Sequence, residues 1–180
     1  MDAMQCIFDG NRKVGELVYV KRQALHSRIM SFLYVRRAAM SSSVIRIGQL
    51  AIHYIVDGSS TSSLGMFELT VPPGSNVPPP HSHSNNEECV YVLEGTLRYT
   101  VGSETRDLSA GQTMSTPKGV MHAFANPFST TAKALIVNSP DIGAQYFSDI
   151  AAVVNTGGAP DKHALMAVMS KYGLNVAAPK

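Results

Sequence analysis

Between Val44 and Asn138 the chain alternates apolar and polar positions in short bursts, each bounded by Gly, Pro, Asn, Asp or Ser. Alternation with period two over four to eight residues marks a strand with one face buried. It predicts strands over Val44–Ile47, Leu50–Val56, Leu64–Val71, Glu88–Leu93, Thr96–Val101, Gln112–Thr116, Met121–Asn126 and Ala132–Asn138. Glu94-Gly95 and Gly102-Ser103 supply tight turns, glycine accepting the positive φ that hairpins need, so neighbouring strands run largely antiparallel. So many short strands imply an all-β sandwich or barrel. After Asn138 the period changes. Ser139-Pro140-Asp141 offers a helix start, and Ile142, Tyr146, Phe147, Ile150 and Val153 recur at helical spacing. Asp161 caps a second predicted helix in which Leu165, Val168, Met169 and Tyr172 share a face, ending at Gly173. The expected organisation is an N-terminal extension over residues 1–42, a barrel over 43–140 and a C-terminal helical tail over 141–180.

Composition narrows the class. At 180 residues the chain has room for one core, and 44% hydrophobic against 16% charged residues excludes a wholly disordered protein. The longest nearly apolar runs, such as Ile29 to Val35, fall far short of the roughly 20 residues of a membrane-spanning helix. The net charge of +2 is unevenly spread: residues 1–40 hold seven Lys or Arg against three acids, the remainder eight against ten. The basic character therefore sits in the extension, and the body lacks the clustered basic and aromatic side chains of a nucleic-acid surface. The extension itself has its acids early and Arg36-Arg37 after its apolar stretch, the reverse of a secretory signal; it reads as weakly ordered sequence or an upstream start. Two cysteines, Cys6 and Cys89, build no disulfide framework, and a reducing cytoplasm fits best.

The candidate chemistry is concentrated in the barrel. His81 and His83 are two apart, which on an extended segment points both imidazoles to one face. They follow a loop, Pro72 to Pro80, with five of the chain's ten prolines, so the approach to His81 is stiff. Glu88 shares a strand face with Val90 and Val92, and a carboxylate among apolar neighbours needs a partner. His122 begins another strand behind the turn Pro117-Lys118-Gly119. Three imidazoles and one carboxylate suit a single divalent transition metal with open positions for water, dioxygen or substrate. Such a mixed N/O site accepts Fe, Mn, Ni, Co, Cu or Zn. His26, His53 and His163 have no partners in register and read as ordinary surface or core residues.

The spacing of these residues resembles the two motifs of the cupin superfamily. His81-x-His83, four residues, Glu88, six residues, Gly95 matches the first, with Gly74 one residue farther from His81 than usual. Gly111, Pro117, Gly119, His122 and Asn126 match the second in full, after the short gap of fifteen residues found in microbial members. The resemblance covers about residues 43–140. It implies a double-stranded β-helix, or jelly roll, with His81, His83, Glu88 and His122 as metal ligands at the barrel mouth. Glu87 is the rival ligand, but only Glu88 keeps the six-residue distance to Gly95; by alternation Glu87 and Cys89 face away. Met66, Val90, Val92, Tyr99, Met114 and Phe124 are candidates for the pocket wall.

Three histidines, one glutamate and a helical tail resemble quercetin dioxygenase-like single-domain cupins in particular. That implies a dioxygenase acting on a small enolic or phenolic substrate, Glu88 serving also as catalytic base, in a cytoplasmic homodimer. A metal-dependent isomerase or decarboxylase, and a non-catalytic binding or sensor cupin, use the same ligands and stay open at this point. The tail helices are expected to cover a barrel face, meet a partner chain or close over the pocket.

Overall fold

The computed structural model describes residues 44–61 and 63–177; the expected extension over residues 1–42, with His26, lies outside the described residues. The described strands are β1 (Val44–Ile47), β2 (Leu50–Val56), β3 (Gly65–Val71), β4 (His81–His83), β5 (Glu87–Glu94), β6 (Thr96–Val101), β7 (Glu104–Ser109), β8 (Thr113–Thr116), β9 (His122–Ala125) and β10 (Ala132–Ser139). Helices α1 (Ala144–Val154) and α2 (Lys162–Lys171) follow, then a last strand, β11 (Leu174–Val176). Two antiparallel sheets face each other as a jelly roll, one in the order β1-β2-β3-β10-β5-β8 and one in the order β11-β4-β9-β6-β7. No described helix is long and apolar enough to cross a membrane.

Every predicted strand is present, and three more join them. β7, ETRDLS, turns only Leu108 inward, so the apolar rhythm that announces a half-buried strand is absent. It is an edge strand, held to β6 across the Gly102 turn and by a bidentate Arg98–Asp107 pair. β4 is the His81–His83 segment itself. β11 pairs with β4, Leu174 opposite His83 and Val176 opposite His81. The tail is therefore stitched into the second sheet beside two of the candidate ligands.

Alternation explains the core. In β3 the residues Gly65, Phe67, Leu69 and Val71 point inward, while Met66, Glu68 and Thr70 share the outer face. β5 sends Val90 and Val92 inward and β6 sends Leu97 and Tyr99. These join Leu50, Ile52, Ala134 and Ile136 between the sheets. Each buried Val, Leu, Ile or Phe side chain among them contributes on the order of 1.5–3 kcal/mol relative to exposure. The β5–β6 turn depends on its glycine: Gly95 has φ +70°, and a Cβ there would run into the Thr131 carbonyl oxygen.

The first helix starts later than its sequence signal. Asp141 does not cap it. Its carboxylate accepts hydrogen bonds from the Tyr54 hydroxyl (2.8 Å) and the Gly58 and Gly143 amides (2.9 and 3.1 Å), tying the strand exit to the β2–β3 loop, and the helix begins at Ala144. Asp161 does cap α2, accepting from the His163 and Ala164 amides.

Candidate metal centre

His81 and His83 sit on β4 with their rings 5.2 Å apart, and the neighbouring β9 brings in His122 directly opposite His81. The His122 ring lies 4.4 Å from that of His81 and 4.9 Å from that of His83. One ring nitrogen from each histidine falls within 4.8 Å of the others, and all three residues are buried. The second-motif turn is clamped onto the first: the Gly119 amide donates to the His83 carbonyl (2.9 Å), and Val120 to Pro117 (3.1 Å). Asn126, which closes the second motif, is structural. Its side-chain amide donates to the Val71 and Thr130 carbonyls and its oxygen accepts from the Phe128 amide.

The imidazoles are prepared as lone-pair donors. Burial is the main force pushing His81 and His83 down to about 4, with the charge of His122 adding to it, so both rings are neutral at neutral pH. The His81 Nδ1 lies 2.9 Å from the Pro79 carbonyl. A carbonyl only accepts, so Nδ1 carries the proton and Nε2 keeps its lone pair. His83 Nε2 and His122 Nδ1 are buried with no hydrogen-bond partner in the protein. Buried polar atoms without partners are rare. Three converging imidazoles, two of them with an orphaned nitrogen, fit a bound cation.

Glu88, on the adjoining wall, stands outside the three-histidine set. Its Oε1 accepts a 2.7 Å hydrogen bond from the Tyr99 hydroxyl and lies 3.5 Å from His122 Nε2. Tyr99 also meets the Thr116 hydroxyl at 3.3 Å, and burial above all, then the Glu88 charge, raises its phenol well above the usual range. Glu87 is exposed at the strand start, and Cys89 touches the Thr113 hydroxyl on the outer side.

His81, His83, Glu88 and His122 open together into one cavity of about 70 Å³. Of the six residues expected in its wall, Tyr99 and Phe124 line it. Met66 lies on the outer face of β3, where Glu68 and Thr70 share its side; Phe67 takes the inward place. Val90, Val92 and Met114 face inward but pack in the core without bordering the cavity. The wall also includes Ile47, Leu50, Ile52 and Leu69 of the barrel and Ile142, Tyr146, Phe147 and Ile150 of the tail. The helical stripe thus closes over the pocket. Its apolar spacing announced a buried face, but which surface it would bury depends on the path of the chain. His53 and His163 are exposed and apart from the cluster.

Residues 67–138 match the cupin domain family Cupin_2. The fold is the cupin jelly roll. Solved structures similar to it include an RmlC-like cupin from Shewanella frigidimarina NCIMB 400 (21% identity, 64% of this chain and 93% of that one, TM-score 0.49). KdgF from Halomonas sp. is similar at 20% identity over 55% of this chain and 88% of its own, TM-score 0.49. A predicted oxalate decarboxylase from Thermotoga maritima is similar at 21% identity over 51% and 81%, TM-score 0.47. No curated protein sequence matches the chain.

Proposed function

We propose that this cupin is a metal-dependent dioxygenase acting on a small, uncharged enolic or phenolic substrate. His81, His83 and His122, with Glu88 as the fourth donor, would hold one divalent transition ion. When bound, that ion supplies a Lewis acid for a substrate oxygen and a site for dioxygen. The observation that carries the reading is the wall around these four side chains. It is aliphatic and aromatic, from Phe67, Leu69 and Leu97 to Phe124, Ile136 and Phe147. The wall holds no Lys or Arg, so an anionic substrate would have the metal as its one cationic partner, and a phosphate or free carboxylate lying against the wall away from it loses its hydration uncompensated. A planar, neutral ring or diketone loses little.

The residues divide the remaining work. Glu88 would take the proton of the substrate hydroxyl, a role its place beside His122 allows. Tyr99 holds that carboxylate from behind. Tyr146, Phe147 and Ile150 of α1 keep water out. The cavity, about 70 Å³, is smaller than the roughly 150 Å³ that admits benzene, so acyclic enols such as β-diketones come before the ring-bearing catechols and flavonols.

The test is metal analysis of the purified full chain, then oxygen uptake with β-diketones, catechols and flavonols after loading with Mn, Fe, Co, Ni, Cu or Zn. Uptake that needs metal and disappears in His83→Ala is the expected result. Stoichiometric metal with no uptake from any substrate overturns the dioxygenase and leaves an isomerase, a decarboxylase or a binding protein.

A further inference from the structure

The amides of Asn86 and Asn138 form a buried chain that ends on His83. The Asn86 side-chain amide lies 2.6 Å from His83 Nδ1 and 3.1 Å from the amide of Asn138. Asn86 is 4% and Asn138 1% exposed, and Asn138 also borders the cavity. With its nitrogen toward His83, Asn86 donates to both neighbours. That arrangement has two defects. It leaves the Asn138 N–H group buried with no acceptor, and it makes Nδ1 of His83 an acceptor, putting the ring proton on the orphaned Nε2. The two ends of a carboxamide have the same shape, so both amides turn end over end without moving a heavy atom. His83 Nδ1–H then donates to the Asn86 oxygen, Asn138 donates to the same oxygen, and the unpaired group becomes a carbonyl, which is more readily left single than an N–H.

We propose that Asn138 and Asn86 are a positioning relay that fixes His83 as the Nδ1–H tautomer and turns its Nε2 lone pair toward the metal. The inference rests on the metal-site reading. It gives His83 the proton placement that the Pro79 carbonyl imposes on His81. Asn86 lies in the β4–β5 connection and Asn138 on β10, fifty-two residues away, so the relay also couples the ligand strand to the opposite sheet.

The test is a two-bond proton–nitrogen correlation spectrum of the imidazoles in the ¹⁵N-labelled, metal-free full chain, with the His83 signals assigned by their loss in His83→Ala. A protonated Nδ1 and bare Nε2 on His83 is expected; a protonated Nε2 overturns the relay. This readout needs no metal, so a chain that shows Nδ1–H yet binds no ion keeps the relay and removes the proposed function. In a chelator competition with Zn²⁺, Asn86→Leu is expected to weaken affinity about 10–100-fold. Asn86→Asp, which still accepts from both donors, restores affinity to within about threefold of the parent. Equal loss in both variants overturns the proposal, and should Asn86→Leu not fold, the spectrum together with Asn86→Asp decides alone.

Discussion

The hydroxyl of Tyr99 donates a 2.7 Å hydrogen bond to Oε1 of Glu88, the same oxygen that stands 3.5 Å from Nε2 of His122. A phenol on β6 thereby sets the position of a carboxylate on β5 relative to a candidate ligand on β9. Tyr99→Phe removes the donor and leaves the ring in place. The expected cost is about 1–3 kcal/mol in urea unfolding, because a partly buried carboxylate loses its partner. Turnover is expected to fall about tenfold or more with metal content unchanged. Parental stability and turnover in the variant would remove Tyr99 from the site.

Metal binding to the folded chain alone raises its stability by mass action. At 100 times the dissociation constant the gain is about 2.7 kcal/mol, several degrees in Tm for a chain of this size. Thermal melts with and without Mn²⁺ or Zn²⁺ are expected to show that shift in the parent and to lose it in His81→Ala, His83→Ala and His122→Ala. A shift that persists in all three places the ion elsewhere.

Acid acts on the metal-free fold through the buried imidazoles. His81 and His83 titrate at about 4 when folded, held down first by burial and next by His122, against about 6.5 in an unfolded chain. The unfolded state therefore takes up protons first as pH falls. The stability these two neutral rings contribute is complete above pH 6.5 and is lost as pH drops toward 4. The loss is on the order of 3 kcal/mol for each. Urea midpoints at pH 7.5, 5.5 and 4 measure it, and the double variant His81→Ala/His83→Ala is expected to show a much flatter profile. A parent profile as flat as that of the double variant contradicts the burial argument.

The two motif glycines that bracket β6 and β7 differ in their surroundings. Gly95 (φ +70°) has the Thr131 backbone against it, whereas Gly111 (φ +86°) faces open space. Alanine at Gly111 meets only the left-handed backbone penalty, about 1–2 kcal/mol. At Gly95 the clash with the backbone adds to it, for roughly 3 kcal/mol or more. Denaturant unfolding of the two variants side by side checks the ranking.

Much of this was legible one segment at a time. The β3 alternation, the Pro117-Lys118-Gly119 turn before His122, the Gly95 hairpin and the Asp161 cap all reflect stereochemistry within a few residues. Where local signal was thin, inference failed. β7 turns only Leu108 inward and so shows no period, and Asp141 looked like a helix cap because nothing near it in sequence reveals Tyr54. Met66, a candidate for the wall, falls on the outer face of β3, the side its neighbours Glu68 and Thr70 already mark as outer.

The sequence by itself determined eight of the eleven described strands and the two helices, where their turns fall, and that His81, His83, Glu88 and His122 stand at the spacing of two cupin motifs. Period and turn chemistry act over a few residues, so they are written locally. Only the tertiary structure decided that His122 lies opposite His81, that α1 walls the cavity, that β11 joins β4, and that Asn86 and Asn138 stand behind His83. Those contacts depend on which strand edges pair across long loops, and such pairing is selected by the packing of the whole barrel.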